Sequence, residues 1–246
     1  MKNQTNYKKP LADPNQYSSS WAWTRAHSEY HFNNNIQDQY GDWFEILGTF
    51  QGDWSTERDN LIAGSRPVTW ASRKYYDLIK RISPMLTQEE YDIQQAGVDP
   101  TTLELTNIVD DWEEYPTLYK MMDYFGLEVL GPELGMKKRA HIQLTGQMFN
   151  YHIDKLWDRC PQDPERVCRI TIMLDDWQPG QFYMYGNYLY SKWKAGEAHI
   201  FDWASVPHAT ANASNSPRVT LQVTGLKTNR TREILATASK DRVFTL

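Results

Sequence analysis

Cysteine is scarce in these 246 residues, with only Cys160 and Cys168 present, and seven positions separate them. That spacing is neither a CxxC metal or redox pair nor a disulfide framework, so two free thiols in a reducing, intracellular setting are expected. No long apolar run is present, which excludes a membrane-spanning helix. The polar stretch Met1–Pro10 has no apolar signal-peptide core, and a cytoplasmic location is expected from it. An excess of basic charge is lacking too: 26 Lys and Arg stand against 31 Asp and Glu, a net charge of -5, which disfavours a nucleic-acid coat. There is no internal repeat and no low-complexity tract. What the chain does have is aromatic side chains, 10 Trp, 15 Tyr and 8 Phe, which bury large areas and line concave pockets.

Three regions follow from texture. Residues 1–20, rich in Asn, Gln, Ser and Lys, read as a flexible arm. Residues 21–135 read as a mixed, mainly helical region that supports the rest. Its first part, up to Trp70, shows no clean period. Tyr75, Leu78, Ile79 and Ile82 then form one apolar helical stripe that Pro84 ends. Thr87 and Glu90 suit a capping box before a stop at Gly97, and a third helix opens at Pro116 and stops at Gly126, with Leu118, Met121, Met122 and Phe125 for burial. Residues 136–246 change character. Short strand-like runs (HIQLTG, RVCRITIMLDD, QFYMYGN, EAHIFDW, RVTLQVTG) alternate with Gly, Pro, Asn and Asp, the pattern of an antiparallel sandwich or barrel. The fold class expected is α+β, a cupin-like jelly roll with a helical N-terminal half packed on it, all one integrated domain.

The chemistry concentrates in the β half. His152 and Asp154 stand two residues apart, so an extended backbone sends both side chains off one face. His208 opens a later run, and Arg218 follows ten positions on. Two imidazoles and one carboxylate on one face of a divalent ion make the facial triad of non-haem Fe(II) oxygenases, which leaves coordination positions open. Arg218 offers a planar fork for a carboxylate, and Thr220 on the same strand face offers a further hydrogen bond. His141 and His199 have no carboxylate at matching spacing and read as packed or surface residues. Asp202 reads as a turn cap, and the His27-Ser28-Glu29-Tyr30-His31 cluster as chance. Tyr183, Tyr185 and Asn187 on the aromatic run, with Asn150 and Trp157 beside the HxD, are candidate substrate contacts.

The stretch from His141 to Gly225 resembles the double-stranded β-helix core of the Fe(II)/2-oxoglutarate-dependent oxygenases, over about the C-terminal 40% of the chain. Gly196-Glu197, Phe201-Asp202, His208, Asn212 and Arg218-Val219 are similar to the closing strands of the aspartyl/asparaginyl β-hydroxylase-like branch. Asp154 is kept as in the prolyl hydroxylase-like branch. The resemblance implies that His152, Asp154 and His208 hold Fe(II), and that 2-oxoglutarate chelates the iron with its far carboxylate on Arg218 and Thr220. It implies a cosubstrate contact for Arg169 as well, although the branch's RxH reads Arg169-Ile170-Thr171 here. The activity implied is hydroxylation of an unactivated C–H bond by O2, with release of succinate and CO2. The substrate implied is an amino acid, free or within a peptide or protein. Two other readings stand beside it: a cupin-type isomerase with a metal site, and a non-catalytic jelly-roll module that binds a ligand.

Overall fold

Between Lys138 and Leu226 the β-branched and aromatic runs are punctuated by Gly146, Gly180, Gly186 and Gly196, all at positive φ, so the chain turns where side chains are least welcome. A computed structural model describes residues 44–69, 104–129, 137–152, 154, 160–186, 188–203, 206 and 208–246. The helices expected around Tyr75–Ile82 and Thr87–Gly97 lie outside them, as do the N-terminal arm and His27 and His31.

Eight strands build the barrel: β4 (Lys138–Gln143), β5 (Met148–His152), β6 (Val167–Met173), β7 (Gln181–Tyr185), β8 (Tyr188–Tyr190), β9 (Glu197–Phe201), β10 (His208–Asn212) and β11 (Arg218–Leu226). Their pairings are those of one long antiparallel hairpin, with β7 on β8 at its tip, then β6 on β9, β5 on β10 and β4 on β11. The hairpin is wound so that β11 also pairs with β6, and β10 with β7. One sheet therefore runs β5-β10-β7-β8 and the other contains β9-β6-β11-β4. That winding is a jelly roll, the double-stranded β-helix.

Three further strands extend the larger sheet from the N-terminal side: β1 (Phe44–Phe50), β2 (Arg66–Thr69) and β3 (Glu104–Val109). The described part does not support the expectation of a helical N-terminal half: it supplies three strands of the barrel's own sheet and two helices, α1 (Ser55–Ala63) and α2 (Pro116–Asp123). The reasons are local. The alternation in β1 slips at a bulge between Ile46 and Gly48. In β2, Pro67 reads as a breaker, yet this strand is at the sheet edge, where a missing N–H costs no ladder bond. Past the barrel, α3 (Asn229–Ala236) and β12 (Val243–Phe244) complete the chain.

Helices cover the outer face of the large sheet. Ala140, Ile142, Ile170, Ile172, Ala198, Ile200, Val219, Leu221 and Val223 pack there with Leu61, Leu118, Met121, Met122, Phe125 and Ile234. Burying the four large side chains of the α2 segment contributes roughly 6–12 kcal/mol, at about 1.5–3 kcal/mol each. The open N-terminus of α2 is satisfied from α1, where the Glu57 carboxylate accepts from the Thr117 and Leu118 amides at 3.0 and 3.1 Å. Among the described residues no helix is long and apolar enough to cross a membrane. Cys160 and Cys168 are both free and buried.

Candidate metal and anion site

Strand alternation sends the other face of the large sheet into the barrel. Because Ala140, Ile142, Ile170, Ile172, Val219, Leu221 and Val223 point outward to the helices, Gln143, Arg169, Thr171, Arg218, Thr220 and Thr224 point inward. The smaller sheet faces them with aromatic side chains, including Tyr183, Tyr185 and Tyr190.

At one end of this interior, β5 ends at His152 and β10 begins at His208, and the two residues are register partners. The winding thus brings together positions that lie far apart in sequence. Asp154 follows just beyond β5, with its Oδ2 3.5 Å from His208 Nε2. Phe201 and Tyr185 wall the imidazole of His208, with ring centroids at 4.8 and 6.3 Å. The side chains of His152, Asn150, Trp157 and Asn187 lie outside the described residues. Arg169 reaches in from β6. Its Nη1 donates to Asp154 Oδ2, and its Nε donates to Thr224 Oγ1 at 2.9 Å. The guanidinium that the resemblance places on a cosubstrate therefore meets a carboxylate and a hydroxyl of the protein.

Among the described residues no group of three His, Cys, Asp or Glu side chains gathers to hold a metal ion, and His208 with Asp154 supplies one pair of donors. An imidazole nitrogen and a carboxylate oxygen converge, and neighbouring ligands about 2.0–2.2 Å from one metal stand about 3 Å apart, close to the separation seen. The backbone register brings the position of His152 alongside.

Deeper in the barrel is Arg218, only 3% exposed. Its Nη1 donates to the Phe182 carbonyl at 2.7 Å and the Ala211 carbonyl at 3.4 Å, and its Nη2 donates to Gln143 Oε1. Gln143 is itself anchored through Nε2 on Thr210 Oγ1 at 2.9 Å. The guanidinium carbon sits 4.2 Å over the Tyr183 ring. All of these partners are neutral. Among the described residues no carboxylate pairs with Arg218, and its Nε is buried without a hydrogen-bond partner. Burial pushes the guanidinium pKa below its ordinary value, yet a guanidinium keeps its proton in a protein, so this is a buried cation held by neutral partners. Thr220 Oγ1 lies beside it, donating to the His141 carbonyl and accepting from the Tyr183 hydroxyl, both at 3.4 Å.

The distance along β10 from His208 to Ala211, where Arg218 reaches the strand, is about 10 Å at roughly 3.3 Å per residue. Tyr185 and Tyr183 floor this interval, with rings stacked at 5.6 Å. Both are buried, and the Tyr185 hydroxyl bonds His199 Nε2 at 2.7 Å. Burial pushes the His199 pKa down to about 3 and that of Tyr185 well up, so the pair is neutral. His199, read from its spacing as packed or on the surface, is fully buried. Asp202 is half-buried past the end of β9, and its carbonyl accepts from the Val206 amide at 2.9 Å. Sequence reasoning missed Gln143 and Thr210, which hold Arg218. Their signal was a polar side chain at alternate positions of a strand whose other face is apolar.

No protein-family model matches the sequence, and no curated protein does. Among solved structures the chain is similar to the non-haem alpha-ketoglutarate-dependent epimerase SnoN from nogalamycin biosynthesis, over 70% of this chain and 69% of that one, with 11% identity and a TM-score of 0.43. It is similar also to the non-haem monooxygenase ThoJ in its nickel complex, over 37% of this chain and 43% of that one (16% identity, TM-score 0.31). A cupin 2 conserved barrel domain protein from Salinispora arenicola is similar over 41% of this chain and 71% of that one (9% identity, TM-score 0.27).

Proposed function

We propose that this chain is an Fe(II)- and 2-oxoglutarate-dependent oxygenase that hydroxylates an amino acid, free or within a peptide or protein. The observation that carries the reading is Arg218: a buried guanidinium without a carboxylate partner among the described residues, in the same barrel interior as Asp154 and His208. A cation left so in a dry interior costs several kcal/mol, which an anionic ligand offsets. A keto diacid with a metal at its near end and Arg218 at its far end supplies that charge.

In this reading His152, Asp154 and His208 hold the metal, and the far carboxylate of the diacid displaces Gln143 and the strand carbonyls from Arg218. Thr220 donates to the same carboxylate. The stacked Tyr183 and Tyr185 exclude water along the length of the diacid and orient it. When bound, ferrous iron supplies O2 activation coupled to decarboxylation, so that substrate C–H, 2-oxoglutarate and O2 become C–OH, succinate and CO2. An amino-acid substrate comes from the family resemblance.

The test is anaerobic titration of metal-free protein with Fe(II) and then 2-oxoglutarate, following the visible charge-transfer band of the chelate. The band is expected in wild type, weaker in Arg218→Met and absent in His208→Ala. A folded wild-type protein that takes up neither iron nor keto acid overturns the proposal.

A further inference from the structure

Resting on the metal-site reading above, we propose that Arg169 is an exchangeable counter-ion: in the metal-free protein it neutralises Asp154, and it yields Oδ2 when a divalent ion enters. Arg169 Nη1 bonds the same Asp154 oxygen that faces His208 Nε2 at 3.5 Å, the place where a ligand set would converge. Asp154 and Arg169 are mostly buried, with side-chain exposures of 19% and 15%. A carboxylate there is costly without a cation beside it. The Nε bond to Thr224 at 2.9 Å comes from the other side of the guanidinium. Arg169 can therefore keep that anchor while its Nη1 swings off the carboxylate.

Two cations compete for one oxygen in this arrangement, and that gives the proposal a sign. An ordinary neighbour that merely orients a metal ligand strengthens the site, and its removal weakens affinity about 10–100-fold. A competing counter-ion does the opposite. Its removal lifts both the competition and the repulsion between a guanidinium and a nearby dication.

The experiment titrates metal-free wild type, Arg169→Gln and Arg169→Lys with Co(II), reading affinity from the visible d–d absorption, and records thermal melts with and without metal. Arg169→Gln is expected to bind Co(II) about tenfold or more tighter. It is expected to melt lower than wild type when metal-free, and at the wild-type temperature when loaded. Arg169→Lys, which keeps the charge but not both hydrogen bonds, falls between, and it carries the same comparison where Arg169→Gln does not fold without metal. Unchanged or weaker affinity in both variants overturns the counter-ion role while leaving the metal site standing. A folded wild-type protein that takes up no Co(II) overturns the metal site, and this proposal with it.

Discussion

Replacing Arg218 with Met separates an anion receptor from a structural strut, because Met keeps the apolar stem and removes only the charge and its donors. In the absence of ligand the losses and gains nearly balance. The variant gives up the bonds to the Phe182 carbonyl and Gln143 Oε1, roughly 1.5–3 kcal/mol each for a charged donor, and the contact with the Tyr183 ring, about 1–2 kcal/mol. It also sheds the desolvation penalty of a buried ion, about several kcal/mol. The net is within about 2 kcal/mol, a shift of roughly 4–8 °C at most for a chain of this size. Binding is another matter. A diacid deprived of Arg218 leaves its own carboxylate buried and unpaired, which costs about 3–5 kcal/mol, or two to four orders of magnitude in affinity. The assay is an anaerobic thermal melt of Mn(II)-loaded protein with and without 2-oxoglutarate. At about one hundred times Kd the ligand adds about 2.7 kcal/mol to wild type, a rise of roughly 5–11 °C. Arg218→Met is expected to start near the wild-type temperature and to gain nothing at the same concentration. The reasoning is refuted if the variant loses more than about 4 kcal/mol without ligand while wild type does not respond to 2-oxoglutarate. It is refuted equally if the variant keeps the full ligand shift.

Three further outcomes are expected. His199 has a folded pKa near 3 against 6.5 for the free side chain, so below pH 6.5 the unfolded chain binds a proton that the folded one refuses. Stability should fall through that window by about 1.4 kcal/mol per pH unit from this residue alone, and denaturant titrations at pH 6 and 4.5 should show a shallower fall for His199→Gln; parallel curves would sink the assignment. Gly196, at φ +83, has no room for a side chain, since an added Cβ meets the Phe50 carbonyl oxygen at 2.3 Å. Gly196→Ala should therefore cost about 3 kcal/mol in the denaturant midpoint, and a loss under about 1 kcal/mol contradicts the steric cost of a left-handed residue in a filled turn. Burial pushes the Cys168 thiol up to about 12, and Cys160 is buried too. Neither should react with iodoacetamide at pH 8 until denaturant is added, as read by mass, and rapid native labelling of Cys168 would contradict its burial.

Much of the barrel was legible because strand chemistry is dense there. The runs that became β6, β7, β9 and β11 carry β-branched or aromatic residues bounded by turn residues, and Pro116 with Gly126 bracketed α2 and its last turn. The strands β1 and β2 were not legible, because a bulge in the first and an edge proline within only four residues in the second erase the period on which a strand is recognised. The motif marked His152 and His208 as ligands of one ion, but it gave no strand register, and the winding of the hairpin makes them strand partners. The bond from Arg169 to Asp154 had no such signal. It joins β6 to the segment after β5, in a contact set by how the hairpin is wound and not by any local pattern.

The deeper source of illegibility is an inversion of faces. In β11, Arg218, Thr220, Gln222 and Thr224 alternate with Val219, Leu221 and Val223, which on a half-buried strand means polar side out. Here the valines and leucine face the helices, while Arg218, Thr220 and Thr224 face the barrel and are buried as well. The same holds for Gln143 on β4 and Thr171 on β6. Two-sided burial divides the labour. The sheet gains its stability from the outer apolar face against α1, α2 and α3, so the inner face is free to carry groups that would weaken an ordinary core. Polar residues held inward in this way need partners. Gln143 finds one in Thr210 and Arg169 one in Asp154, while among the described residues Arg218 finds neutral acceptors alone. That unbalanced buried charge is the physical reason to test for an anion there.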